Sequence, residues 1–114
     1  MNFYKDLIGI KYKDQGRNKE EGFDCYGLAI EVLKRNGIIL EDRIKNPKEG
    51  NLNLIEIENP EKLCIIEYDL GFTESHIAVY IGDGMIIHTT KRYGVVIEPM
   101  YKYSYRQVGC FKVR

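Results

Sequence analysis

Apolar positions along the chain follow two different periods. Between residues 25 and 36, Leu28, Val32 and Leu33 recur at helical spacing. Asp24 stands just before them as an N-cap and Gly37 just after as a stop, so the pattern predicts a helix over 25–36. Beyond residue 62 the period shortens. Segments 63–68, 75–81, 85–90, 94–98 and 107–113 are rich in β-branched and aromatic residues and are separated by glycine-containing turns. They predict about five strands joined as an antiparallel meander. A helix ahead of such a sheet is an α+β arrangement in which the helix covers one face. Toward the N-terminus, Phe3, Leu7, Ile8 and Ile10 predict a short amphipathic turn or helix ending near Gly9, and the polar stretch 11–22 reads as a loop. Residues 41–61 keep no sustained period except across 52–57 and read as a long connection.

With 114 residues, the chain has room for one domain, taken as 1–114, built on one core. A 44% hydrophobic content with 11 Gly and 3 Pro is that of a folded domain and excludes a disordered tail. The 17 basic residues are balanced by 17 acidic ones, so the electrostatic footprint of a nucleic-acid partner is missing. No basic segment leads into an apolar stretch at the N-terminus and no run approaches 18 apolar residues. The expectation is a chain without secretion signal or membrane span, cytoplasmic at synthesis. Three cysteines, Cys25, Cys64 and Cys110, form an odd set without paired spacing, which fits reduced thiols better than a disulfide framework.

Both histidines of the chain fall in one candidate hairpin, on either side of Gly82-Asp83-Gly84. If those three residues are the loop, Ile81 opposes Met85, Ala78 opposes His88 and Thr90 opposes His76. His76 and His88 are then diagonal neighbours on one face, roughly 7–8 Å apart between backbones. A loop one residue shorter or longer would send them to opposite faces. Cys25 opens the predicted helix, where unpaired N–H groups and the helix dipole favour an anion. A cysteine there and a histidine on a distant strand are the components of a thiol nucleophile with its base, and a second imidazole can orient the first. Each part also has a plainer reading: a buried cysteine in a core, which is how Cys64 and Cys110 are taken, and imidazoles making structural hydrogen bonds. No Cys-x-x-Cys or His-x-x-x-His pair occurs, so no metal site is expected. Gly82-Asp83-Gly84 lacks the Lys-Ser/Thr of a phosphate loop and reads as a turn.

The block Gly22-Phe23-Asp24-Cys25-Tyr26-Gly27-Leu28, followed by Ser75-His76-Ile77-Ala78-Val79-Tyr80-Ile81-Gly82-Asp83-Gly84 and then Ile87-His88, closely resembles the NlpC family of papain-like peptidoglycan endopeptidases. The resemblance implies a papain-like α+β fold with N-terminal helices on an antiparallel sheet of about five strands. It implies Cys25 as nucleophile, His76 as general base and acid, and His88 as the group that orients His76, with no cofactor. Tyr12 is similar to a family tyrosine beside the active site, and Asp24 to an aspartate that in some members contacts the free amine of a stem peptide. Tyr26 resembles an aromatic found in the branch associated with phage tails, which makes phage tail proteins an expected class of partner. The substrate implied is a peptidoglycan stem peptide, cut between D-glutamate, through its γ-carboxyl, and the diamino acid. Two alternatives stay open: a catalytically silent wall-peptide-binding or tail structural domain, and a thiol acyltransferase or deamidase on the same fold. Lys13-Asp14-Gln15-Gly16-Arg17 replaces the family's Trp-Gly-Gly, and Leu63-Cys64 replaces the Gly-Asp that commonly precedes the first strand.

Overall fold

The computed structural model describes residues 3–42, 53–72 and 74–114. The one α-helix among the described residues, α1, runs Cys25–Arg35 and starts where the Asp24 side chain accepts the Gly27 N–H. It ends in a Schellman motif: Gly37 adopts φ +78°, its N–H bonds to Lys34 O, and the Ile38 N–H bonds to Leu33 O. Lys34 and Arg35 in the last turn suit the negative end of the helix dipole. A 3₁₀ turn at Lys5–Leu7 occupies the predicted N-terminal element and buries Leu7. Part of the predicted loop 11–22 is ordered as the small hairpin of β1 (Arg17–Asn18) and β2 (Gly22–Phe23).

The main sheet has six antiparallel strands in the order β3-β8-β4-β5-β6-β7. They are β3 (Leu54–Ile57), β4 (Ile65–Gly71), β5 (Glu74–Gly82), β6 (Met85–Thr90), β7 (Gly94–Pro99) and β8 (Gln107–Val113). The α+β class stands, with two departures from the expected meander. β4 to β7 do follow one another. β8, however, returns across the sheet through a 3₁₀ segment, Met100–Arg106, to insert between β3 and β4. The sixth strand, β3, lies inside the stretch read as a long connection; four residues are too few to show a period, and it is a strand because β8 pairs with it. The rest of that connection, 43–52, lies outside the described residues.

Side chains on the two faces of the sheet join two separate cores. Toward α1, Ile65, Val79, Ile87 and Val95 pack with Leu28, Val32 and Leu33, each 2% exposed or less. Toward the 3₁₀ segment, Cys64, Ile66, Tyr68, Ala78, Ile86 and Cys110 pack with Met100 and Tyr103. Cys64 and Cys110 are therefore core residues, as their flanks predicted, and Cys110 bonds the Ile57 carbonyl. Among the described residues no helix is long and apolar enough to cross a membrane.

Candidate active site

The β5–β6 turn decides where the two histidines point. Val79 pairs with Ile87 and Tyr80 with Ile86, as a three-residue loop would require, yet Gly82 pairs with Met85. The turn itself is thus the two residues Asp83 and Gly84, both at positive φ, and a bulge between Tyr80 and Gly82 absorbs Ile81. The bulge restores the register that a bare two-residue turn would have shifted. His76 shares a strand face with Ala78, and His88 with Ile86, so both imidazoles lie on the side of the sheet away from α1. They meet: His76 Nε2 is 2.8 Å from His88 Nδ1.

Cys25 approaches from the other side. The β5–β6 ladder ends at Val79–Ile87, whereas the β5–β4 ladder continues to Glu74, so the outer half of β5 is paired on one side only. The start of α1 faces this opening, and the Cys25 sulfur takes a backbone hydrogen bond from Ile77. A cavity of about 320 Å³ is lined by Cys25, His76, His88 and Tyr12, with Glu74, Lys91 and Arg106 also on its wall. Two buried hydroxyls on that wall, Tyr68 and Thr89, have no hydrogen-bond partner among the described residues.

The helix start is held by a local network. Asp24 Oδ1 accepts from the Gly27 N–H at 2.6 Å and from Arg17 Nη1 at 2.8 Å, and Arg17 Nε reaches Asp42 at 2.9 Å. A Cβ at Gly27 would lie 2.1 Å from the Gly16 carbonyl oxygen, so only glycine lets the loop carrying Arg17 close on the helix. The departure at 13–17 therefore supplies a clamp on the cap. Of the residues singled out in the sequence, Tyr12, Cys25, His76 and His88 come together around the cavity; Asp24 and Tyr26 do not line it. Asp24 is engaged in capping. Tyr26 is buried, donates its hydroxyl hydrogen to the Glu41 carbonyl, and lines a different cavity beside Ile77 and Phe111.

Glu98 was not singled out. His88 Nε2 lies 2.8 Å from its Oε1, which also accepts from the Tyr103 hydroxyl at 2.9 Å, while Lys102 bonds Oε2. A signal existed: closing the β6–β7 hairpin at Thr90–Gly94 pairs His88 with Val96, which makes Glu98 its diagonal neighbour on the same face. Tyr103, whose ring centroid is 5.3 Å from that of His88, arrives from the 3₁₀ segment that carries no such pattern.

Burial dominates the ionisation of the cleft. It pushes the Cys25 thiol up, against the hydrogen bonds from the Ile77 and Tyr26 backbone, and pushes His76 down to about 4, helped by the neighbouring His88. His88 is also lowered by burial, less so because of Glu98. Cys25 and His76 are thus both driven toward neutrality, because at Cys25 burial outweighs the backbone hydrogen bonds to the sulfur and at His76 no nearby charge opposes it. Glu98 goes the other way: burial opposes its ionisation, but hydrogen bonds from Lys102, His88 and Tyr103 hold its carboxyl at about 2.

Comparison with known proteins supports the same architecture. The sequence profile of the NlpC/P60 family matches residues 9–114. Gamma-DL-glutamyl hydrolase of Bacillus subtilis (strain 168) is 35% identical over 104 residues, which cover 89% of this chain and 25% of that protein. Murein DD-endopeptidase MepS/Murein LD-carboxypeptidase of Escherichia coli (strain K12) is 24% identical over 111 residues, 94% of this chain and 58% of the relative. The chain thus spans from about a quarter to under two thirds of the length of these relatives. The crystal structure of an NlpC/P60 family protein from Bacillus cereus ATCC 10987 superposes with a TM-score of 0.68 at 30% identity, over 91% of this chain and 35% of that one. A profile match that takes in β1 to β8 together with both histidines and Cys25 leaves no part of the site outside it, and the chain belongs to the NlpC/P60 family.

Proposed function

We propose that this chain is a cysteine peptidase domain that hydrolyses an amide bond in peptidoglycan stem peptides, at the linkage between D-glutamate, through its γ-carboxyl, and the diamino acid. The observation that carries the reading is one cavity lined by Cys25 at the start of a helix and by His76, whose Nε2 is bonded to His88. In this reading Cys25 is the nucleophile. His76 takes the thiol proton as the sulfur attacks the carbonyl carbon, and the N–H groups of the first helical turn face the developing oxyanion. Of those groups, the Gly27 N–H is bonded to Asp24, and the Cys25 and Tyr26 N–H groups lie beside the sulfur. The tetrahedral intermediate collapses to a thioester as His76 gives its proton to the leaving amine. Water then attacks the thioester with His76 as base, releasing the acid and restoring the thiol. His88 keeps the His76 ring in place. Tyr12, on the cavity wall, is available to a bound peptide.

The γ-glutamyl bond is favoured by the name of the more similar Bacillus relative, and the murein relative supports the broader class of wall peptides. Nothing in these likenesses adds to the phage-tail branch that Tyr26 suggested, and that branch is not part of the proposal. The test is digestion of defined stem peptides that differ in the diamino acid, followed by mass spectrometry. Cleavage after the γ-glutamyl residue is expected for the native chain. Cys25→Ala should retain less than about a thousandth of it while remaining folded. Cleavage that survives in Cys25→Ala overturns the assignment of the nucleophile, and binding without products overturns the enzyme reading.

A further inference from the structure

We infer that Glu98 is a positioning residue: by accepting the Nε2–H of His88 it holds the two imidazoles in the tautomers that leave Nδ1 of His76 bare and able to receive the Cys25 proton. The inference rests on the assignment of Cys25 and His76 above and adds a fourth member to their chain. Its basis is the hydrogen-bond inventory. Glu98 is a carboxylate and can only accept, so the proton between it and His88 sits on His88 Nε2. A neutral His88 then offers a lone pair at Nδ1, which the Nε2–H of His76 must fill across 2.8 Å. A neutral His76 protonated at Nε2 has its lone pair at Nδ1, the ring nitrogen with no hydrogen-bond partner in the site. When the thiol proton arrives there, the new positive charge is shared along two hydrogen bonds that end on a partly buried anion.

The surroundings of Glu98 fit this task and not that of a surface charge. Its side chain is 16% exposed, and it is anchored by Tyr103 on the oxygen that faces His88 and by Lys102 on the other. His88 itself is 3% exposed, and Glu98 is the acceptor its Nε2 reaches. Without the carboxylate, either imidazole proton of His88 is admissible. One of the two forms forces His76 to accept at Nε2 and to carry its proton at Nδ1, where it blocks transfer from the thiol.

The test reads the tautomers directly, from ¹⁵N–¹H correlations of the imidazole rings in the full chain at neutral pH. It runs alongside kcat and KM on a stem peptide for the wild type, Glu98→Ala and Glu98→Gln. Expected in the wild type are Nε2–H tautomers for both rings. Glu98→Ala should mix the tautomers of both and lower kcat by about 10–100-fold with little change in KM. Glu98→Gln, whose carbonyl can still accept the His88 proton, should keep the tautomers and recover most of kcat. A wild-type His76 protonated at Nδ1 overturns the inference without any variant, as does a Glu98→Ala protein whose tautomers are unchanged. Tautomers that shift as expected in a chain that cleaves no peptide support the positioning role and overturn the proposed activity instead, so the two failures are distinct.

Discussion

On the face of the sheet that α1 covers, Leu28, Val32 and Leu33 interdigitate with aliphatic side chains from β4 to β7, and the packing holds no histidine or carboxylate. On the opposite face the core of Cys64, Ile66, Ala78 and Ile86 runs outward into His76, His88 and Glu98. Both faces exclude water, but to different ends. The first is held by shape and apolar area and is indifferent to proton concentration. The second buries imidazoles that burial keeps neutral, so its stability is coupled to pH. Cys25 stands where the two meet: it opens the helix that the first face holds and lines the cavity that reaches His76 and His88 on the second.

The comparison is sharpened first by Leu33→Ala, which removes a fully buried side chain from the α1 face. It should destabilise the domain by about 2–5 kcal/mol in chemical denaturation, by the same amount at pH 7 and pH 5. A loss that varied with pH would break the division between the faces.

A somewhat smaller effect belongs to the other face. His76 titrates near 4 when folded, against 6.5 for an ordinary histidine, so between those values the unfolded chain binds the extra proton. The His76 contribution to stability is therefore complete above about pH 6.5, declines as pH falls through that window, and levels off below about 4. His88, lowered by burial as well, adds to the same slope. The decline attributable to His76 is up to roughly 3 kcal/mol and should be flattened by His76→Gln when denaturation midpoints are followed against pH. A wild-type stability that stays level from pH 7 to 4 would mean that the imidazoles are solvated and that the relay face is open.

The smallest change concerns the join between the faces. Asp24→Ala deletes the cap and its bond to Arg17, and should cost about 1–2 kcal/mol. Because Asp24 lies outside the cavity, its removal should leave KM for a stem peptide nearly unchanged. A large rise in KM with stability intact would return Asp24 to the substrate contacts that family resemblance suggested.

Much of this was legible along the chain because it is local. Asp24 and Gly37 bracket α1 as cap and stop, and glycine-bearing turns separate β4 to β7, since capping and turn chemistry act within a few residues. The proximity of His76 and His88 was legible on one condition, the register across Gly82–Gly84, and a bulge at Ile81 met that condition by a different route from a three-residue loop. Glu98 was missed although the same register reasoning, applied one hairpin later, reaches it. Tyr26, expected at the substrate, lies outside the cavity that Cys25 lines, because on a helix the next side chain turns about 100° away, here into the α1 core.

By itself the sequence determined which residue types could do chemistry, that Cys25 opens a helix and that two imidazoles share a hairpin. These follow from periodicity, capping and turn geometry, whose physics is complete within a short window. Only the tertiary structure decided that β8 crosses back to pair with β3 and β4, that the 3₁₀ segment brings Tyr103 to Glu98, and that β5 and β6 part where the helix arrives. Only it decided that burial drives Cys25 and His76 toward neutrality, since a pKa in a protein depends on how much water remains around the group and on which charges are brought near it. Those quantities exist only after distant segments have packed.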